Sequence, residues 1–185
     1  MRLSIALAAA FCVFGARSYA VAQEIPEIPK PQQEHQWLEQ LAGEWNAVME
    51  CSMGPDQPPM KAEAIQSSKM IGGRWLAATG QGDMMGTPMM SVLTLGFDPA
   101  KKKYVGTFIS SCGNELWTYE GQLSDDGKKL VLDTEGPNMM NPGTTSKYQE
   151  TIEVKDKDHY VFTSSIEGPD GKMMQFMTAE YTRKK

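Results

Sequence analysis

The sequence predicts an all-β protein, an antiparallel up-and-down barrel of about eight to ten strands that follows a short N-terminal helix. From about residue 44 onward, apolar and polar side chains alternate in short runs, as they do in half-buried strands. Turn signals such as Asp-Gly separate these runs. No segment after residue 43 has the periodicity of a long helix.

The N-terminal residues are expected to lie outside the barrel. Residues 1–22 combine a basic start, an apolar run that is short for a membrane span, and small residues before a cleavage near Ala22-Gln23, which is the pattern of a signal peptide. Residues 23–33 contain three prolines and no hydrophobic periodicity, which indicates an extended linker. We therefore expect a periplasmic or secreted protein with no membrane span after cleavage and a single barrel domain over residues 34–185.

A short helix is expected before the first strand. In "QEHQWLEQLAG", Trp37, Leu38 and Leu41 share one helical face, and Gly43 is placed to end the helix as a C-cap. The next residues, "EWNAVMEC", alternate with a period of two and begin the first strand.

Further strand-like runs reach almost to the C-terminus. "FDPAKKKY" carries an Asp-Pro turn, "SDDGKKL" and "GPDGKMM" carry Asp-Gly, and "VKDKDHY" is a polar hairpin tip. These hairpins predict an antiparallel meander. Closure into a barrel removes its exposed edges most completely, and a two-sheet sandwich is the alternative. The runs lie near 61–71, 73–81, 89–97, 103–111, 115–123, 129–135, 147–155, 159–167 and 173–182.

The segment "LAGEWNAVM" resembles the Gly-x-Trp opening of the calycin superfamily, which includes lipocalins, fatty-acid-binding proteins and nitrobindin-like barrels. The wider pattern, which comprises "EHQWLEQLAGEW", "LTLGFDPAKKKYVGTFI", "LWTYEGQLSDDGKKLVLDTEGP", "YQETIEV" and "GPDGKMMQFMTAEYTRK", resembles the bacterial family called domain of unknown function 1579. That resemblance implies a lipocalin-like barrel and no established activity. It also implies structural roles for Gly43, Trp45 and Arg183, with the tryptophan packed across the closed end of the barrel under the arginine.

The composition excludes one class of partner and leaves one redox question open. The chain carries 18 Lys and Arg against 23 Asp and Glu, and its longest basic run, Lys101-Lys102-Lys103, lies in an expected turn. Nucleic acid is not expected as a partner, because phosphate binding needs clustered positive charge. Two cysteines, Cys51 and Cys112, lie after the expected signal peptide. The sequence is compatible with a possible disulfide between them and equally with two thiols.

Catalytic, metal and cofactor sites are not expected. His35 lies in the predicted helix and His159 at a hairpin tip, and no metal-type His/Cys spacing occurs. Nitrobindin-like relatives bind haem through a histidine, but neither histidine here lies in the late-strand context that such a ligand needs. An enzyme that uses carboxylates inside the barrel is the alternative, with Glu120 and Glu150 both facing inward. The solvated outer wall is favoured for both, since Glu is rarely buried without a partner.

The aromatic side chains favour a binding function. They are spread over most of the strands with Ser and Thr between them, and a barrel of this size has room for one small ligand. The expected function is non-enzymatic binding of a small apolar or amphipathic molecule, with an oligomeric state that the sequence leaves open. The candidate ligand-binding residues are Trp75, Met85, Met89, Phe108, Trp117, Tyr148, Phe162 and Phe176.

The 14 methionines have three interpretations. Adjacent pairs at 84–85, 89–90, 139–140 and 173–174 fall where strands begin or turns close. A pliable apolar rim is favoured, since Met adapts its shape readily, and direct ligand contact comes second. A Met-rich periplasmic copper binder is the third, because thioethers suit Cu(I), although no His cluster accompanies the methionines.

Overall fold

The computed structural model describes residues 29–52, 58–84 and 86–185. The expected signal peptide and most of the expected linker lie outside these ranges. The chain divides into two compact units, Met1–Lys30 and Pro31–Lys185. No helix in the described ranges is long and apolar enough to cross a membrane.

The second unit is a helix followed by a closed barrel of ten antiparallel strands, in which each strand pairs with its sequence neighbours and the last pairs with the first. The all-β barrel prediction is confirmed, and the sandwich alternative is wrong because the sheet closes on itself. The elements are α1 (Gln33–Glu39), β1 (Gly43–Cys51), β2 (Met60–Ile71), β3 (Trp75–Met84), β4 (Thr87–Asp98), β5 (Lys103–Ser110), β6 (Trp117–Leu123), β7 (Lys129–Pro137), β8 (Thr145–Asp156), β9 (His159–Glu167) and β10 (Met173–Arg183).

The helix α1 closes one end of the barrel, which we call the base. Trp37, Leu38 and Leu41 are buried in the core, as their helical spacing predicts. The Trp37 indole N–H donates a hydrogen bond to the carbonyl of Gly127 at 2.8 Å. The Tyr104 hydroxyl donates to the carbonyl of Glu34 at 3.0 Å. These bonds tie the helix to the β6–β7 turn and to β5.

An arginine from the last strand covers the base. The Arg183 guanidinium lies 4.1 Å from the centroid of the Trp45 ring. Its Nη1 donates to the carbonyl of Ala42 at 2.7 Å and its Nη2 to that of Gln40 at 3.1 Å. The Trp45 indole N–H donates to the carbonyl of Leu41 at 3.0 Å. The arginine and the indole thus satisfy the carbonyls of the three residues that connect α1 to β1.

The expected C-cap at Gly43 is wrong. The helix ends at Glu39, and Gly43 is the first residue of β1, with a φ of +130°. A Cβ at this position would collide with Nη1 of Arg183. Glycine is therefore required by the strand entry and by the close approach of the arginine.

The meander places its connections alternately at the two ends of the barrel. The connections 99–102, 124–128 and 157–158 lie at the base and are rich in charge. The connections 111–116, 138–144 and 168–172 lie at the opposite end, which we call the mouth. The methionine pairs at 89–90, 139–140 and 173–174 all lie in or beside mouth connections.

Candidate functional site

The barrel holds a cavity of about 290 Å³ that extends from the level of Leu76 to Met89 and Met139 at the mouth. Pockets for small ligands begin at about this size. A packed core fills the base of the barrel, and some of its residues, among them Leu76, Ile152 and Tyr160, also line the cavity.

The cavity results from an asymmetry in side-chain size. The inner faces of β1, β2 and β3 carry small residues, namely Ala47, Ala64, Ala78 and Gly80. The inner faces of β5, β6, β8, β9 and β10 carry larger, mostly aromatic residues that also line the cavity. If both walls carried large residues, their side chains would interdigitate and fill the interior. The small residues on one wall leave that space open opposite the aromatic wall.

The structure brings most of the sequence-predicted ligand residues together on the cavity wall. Met85 lies outside the described residues. Trp75 does not line the cavity. The predicted residues that line it are Met89, Phe108, Trp117, Tyr148, Phe162 and Phe176. Their contact with a ligand stays a prediction.

Trp75 lies outside the cavity, on the outer face of the barrel, and its contact with a ligand stays a prediction. Its side chain is 43% exposed on the outer face of β3, while Leu76 and Ala78 point inward. The ring packs against Gly96 of β4, where an added Cβ would lie 2.6 Å from it. Side chains on a strand alternate between faces, so a strand that directs Leu76 into the core must direct Trp75 out.

Several residues that line the cavity were not among the sequence candidates. Tyr119, Glu150 and Ser164 lie two residues from the candidates Trp117, Tyr148 and Phe162, so the alternation of β6, β8 and β9 would have identified them. The unpredicted lining residues include Met49, Gln66, Tyr119, Met139, Glu150, Ser164 and Met177.

Glu150 is the chemically distinctive residue of the cavity, and the expectation that it lies on the outer wall is wrong. The residue is 7% exposed, and it shares the inner face of β8 with Tyr148 and Ile152. Its Oε1 accepts a hydrogen bond from the Ser164 hydroxyl at 2.9 Å, whereas Oε2 has no hydrogen-bond partner. Burial raises the pKa of this carboxyl to about 7, and the bond from Ser164 opposes the rise.

Glu120 lies on the opposite face of the wall. Its side chain is 45% exposed and forms ion pairs with Lys101 at 2.5 Å and Lys103 at 3.1 Å. The hydrogen bonds from Lys101 and Lys103 hold the pKa of Glu120 below its usual value. The carboxylate pair required by the enzymatic alternative is therefore not formed, because Glu120 points outward and Glu150 inward.

Aromatic rings surround the Glu150 level of the cavity. Trp117 meets Tyr148 edge-to-face with centroids 5.0 Å apart, and Tyr148 meets Phe176 at 6.1 Å. The Tyr148 hydroxyl donates to the carbonyl of Pro137. Burial and the charge of Glu150 raise the pKa of Tyr119, and the same two causes raise that of Tyr148. Both tyrosine hydroxyls therefore interact electrostatically with Glu150.

The histidines lie outside the cavity. His35 is buried at the start of α1, where its Nδ1 accepts a hydrogen bond from the Gln32 N–H at 2.9 Å. His159 is exposed at a base turn beside Asp156, with Nδ1 3.0 Å from the carboxylate. Within the described ranges, no group of three or more His, Cys, Asp or Glu side chains is arranged to hold a metal ion.

The sulfur-containing residues concentrate toward the mouth. Cys51 is half-buried and Cys112 is exposed, and burial raises the pKa of the Cys51 thiol. The possible disulfide between them stays a prediction. Met89 and Met139 line the cavity, and Met90, Met139 and Met140 are exposed. This arrangement suits an apolar rim, and the copper interpretation stays a prediction.

Comparison with known proteins supports the fold and names no activity. A family model described as "Protein of unknown function (DUF1579)" matches residues 30–183. No curated protein matches the chain. The crystal structure of Rv2717c from M. tuberculosis is similar over 84% of this chain and 100% of that one, with a TM-score of 0.55 and 15% identity. A redesigned β-barrel, b11L5F_LGL, matches 80% of this chain and 94% of its own, with a TM-score of 0.43 and 14% identity.

Proposed function

Because this chain belongs to the DUF1579 family of proteins of unknown function, we propose a function from the barrel itself: non-enzymatic binding of one small apolar or amphipathic molecule in the cavity. The observation that carries the proposal is the cavity of about 290 Å³ between a wall of small residues and a wall of aromatic residues. Apolar ligands gain free energy by leaving water, at about 25 cal/mol per Å² of apolar surface buried. The rings offer rigid faces for such contacts.

Binding is favoured over catalysis by the carboxyl groups present. Acid–base catalysis by a carboxylate pair needs two carboxyl groups close together in the pocket. Among the described residues that line the cavity, Glu150 is the one carboxylate. The outward position of Glu120 removes the partner that this mechanism requires.

Fluorescence titration with N-phenyl-1-naphthylamine, a neutral apolar probe, tests the proposal. The cavity-filling variant is Ala78→Phe, because Ala78 lies on the small-residue wall and is 1% exposed. The matched control is Ala77→Phe, which adds the same ring to the opposite face of β3. We expect wild type and Ala77→Phe to bind the probe and Ala78→Phe to lose at least about 10-fold in affinity.

Equal binding by both phenylalanine variants, each shown to be folded by circular dichroism, would contradict the proposal. Absence of binding in wild type would contradict it as well. The expected leader implies that binding takes place in the periplasm or outside the cell. Cell fractionation and N-terminal sequencing of the exported form test this, with Gln23 as the expected first residue.

A further inference from the structure

The cavity contains one acidic side chain and no basic one in its described lining, so above about pH 7, the pKa of Glu150, that lining carries one negative charge. Among the described residues that line it, Glu150 is the carboxylate, and none is a Lys, Arg or His. The Gln66 amide donates both to the Ser68 hydroxyl at 3.0 Å and to the Tyr160 hydroxyl at 2.8 Å, so its donors are used within the wall. The lining therefore offers a ligand one anionic acceptor and no cationic group.

One oxygen of that carboxylate is left for a ligand. Ser164 satisfies Oε1, and Oε2 is buried without a hydrogen-bond partner. Burying a charged oxygen without a hydrogen-bond donor costs free energy, and for this reason buried carboxylates in proteins are normally paired. A ligand that brings a donor to this oxygen replaces the hydration that the group has lost.

The surroundings of Glu150 select among donors. An anionic ligand would be repelled by the carboxylate and would find no cation. A neutral hydroxyl would give a hydrogen bond and leave the charge uncompensated. An ammonium group gives both the hydrogen bond and the opposite charge, and hydrogen bonds to charged groups are the stronger ones. The rings of Trp117, Tyr119 and Tyr148 near this level are further suited to a cation, because aromatic faces attract positive charge.

We infer that the preferred ligand is a small organic cation, an apolar or aromatic body with a protonated amine that binds Oε2 of Glu150. This inference rests on the proposed function and deepens it by naming the ligand class. The apolar body lies against Phe108, Phe162 and Phe176, and the amine lies at the level of Glu150.

Three ligands of one shape test the inference: phenylpropylamine, phenylpropanol and phenylpropanoate. Each is titrated calorimetrically into the full chain at about pH 8, above the pKa of about 7 for Glu150, so that the carboxyl is ionised. The other titratable groups that face it are the hydroxyls of Tyr119 and Tyr148, whose raised pKa values keep them neutral at that pH. The variants are Glu150→Gln, which removes the charge in the cavity, and Glu120→Gln, which removes the same charge from the outer wall.

We expect wild type and Glu120→Gln to bind the amine about 10-fold or more tightly than the alcohol, and to bind the carboxylate most weakly. In Glu150→Gln, the amine and the alcohol should bind alike, with the affinity for the alcohol preserved. An alcohol that binds wild type as tightly as the amine overturns the inference and leaves the proposed function standing. An amine preference that survives in Glu150→Gln also overturns it. If none of the three ligands binds, and N-phenyl-1-naphthylamine does not bind either, the proposed function fails together with the inference.

Discussion

The buried carboxyl of Glu150 makes the stability of the barrel depend on pH in a way that a single substitution removes. In the folded protein its pKa is raised from 4.5 to about 7, chiefly by burial. At about 1.4 kcal/mol per pKa unit, this shift means that folding disfavours the ionised form of Glu150 relative to the protonated form by about 3 kcal/mol. Glu150→Gln keeps the shape of the protonated acid and its acceptor for the Ser164 hydroxyl.

The direction follows from proton binding. Below about pH 4.5 both the folded and the unfolded states hold the proton, and Glu150 contributes no pH dependence. Between about pH 4.5 and 7 the folded state holds more protons than the unfolded state, so the free energy of unfolding falls as the pH rises. Above about pH 7 the full cost of the buried charge is present. Glu150→Gln should therefore gain up to about 3 kcal/mol over wild type between pH 4.5 and 8.

Urea unfolding of wild type, Glu150→Gln and Glu120→Gln at pH 5 and pH 8 measures this effect. The two histidines are common to all three proteins, so their contribution cancels in the differences. Because the pKa of Glu120 is lowered, its carboxyl is ionised at both pH values in the folded state, and Glu120→Gln should differ from wild type by nearly the same amount at each. If the difference between Glu150→Gln and wild type is also the same at pH 5 and pH 8, the carboxyl is not desolvated and the reasoning is refuted.

Three further substitutions or treatments test the base and the thiols. Arg183→Ala should destabilise the barrel by about 2 kcal/mol in urea unfolding, through loss of the cation–π contact and of the hydrogen bonds to the carbonyls that follow α1. Arg183→Lys should recover only part of this free energy, since lysine lacks the planar guanidinium. A variant that unfolds like wild type would show that the arginine does not hold the base. Gly43→Ala should cost more than Gly127→Ala in the same assay for two reasons: the φ of +130° at Gly43 lies outside the left-handed region that alanine can adopt, whereas the +68° at Gly127 lies near it, and only Gly43 has a neighbour in the path of the new Cβ. Equal costs would contradict both. A reducing agent tests the possible disulfide between Cys51 and Cys112: two thiols leave the melting temperature unchanged, and a fall in the melting temperature would reveal a bridge.

The strands and their order were predictable because the signals are local. The Asp-Gly in "SDDGKKL" supports the tight turn between β6 and β7, where Gly127 has a φ of +68°. The expected run 103–111 corresponds to β5 at Lys103–Ser110. The end of the helix was missed for a non-local reason. Arg183, far along the sequence, donates to the carbonyls that follow α1, so Gly43 is free to begin a strand.

The site was predictable in its composition and less so in its geometry. Aromatic residues on many strands indicated a lined cavity, and Phe108, Trp117 and Phe162 do lie on its wall. The small residues that leave the space open carry no signal of their own, because alanine and glycine are common in any strand. The sequence favours the inward direction of Glu150, since its strand face in "YQETIEV" also carries Tyr and Ile, while the other face carries Gln, Thr and Glu.

By itself, the sequence determined a short helix and a meander of antiparallel strands, because helical periodicity, strand alternation and turn chemistry act over a few residues. Only the tertiary structure decided which face of each strand points inward. A period-two alternation shows that a strand has two different faces but does not show which one points inward. The inner face is fixed when β10 pairs with β1 and closes the barrel. That closure directs Trp75 to solvent and Glu150 to the interior, and it brings small residues of β1–β3 opposite aromatic residues from strands distant in sequence. The cavity and its unpaired carboxylate oxygen exist only in that arrangement.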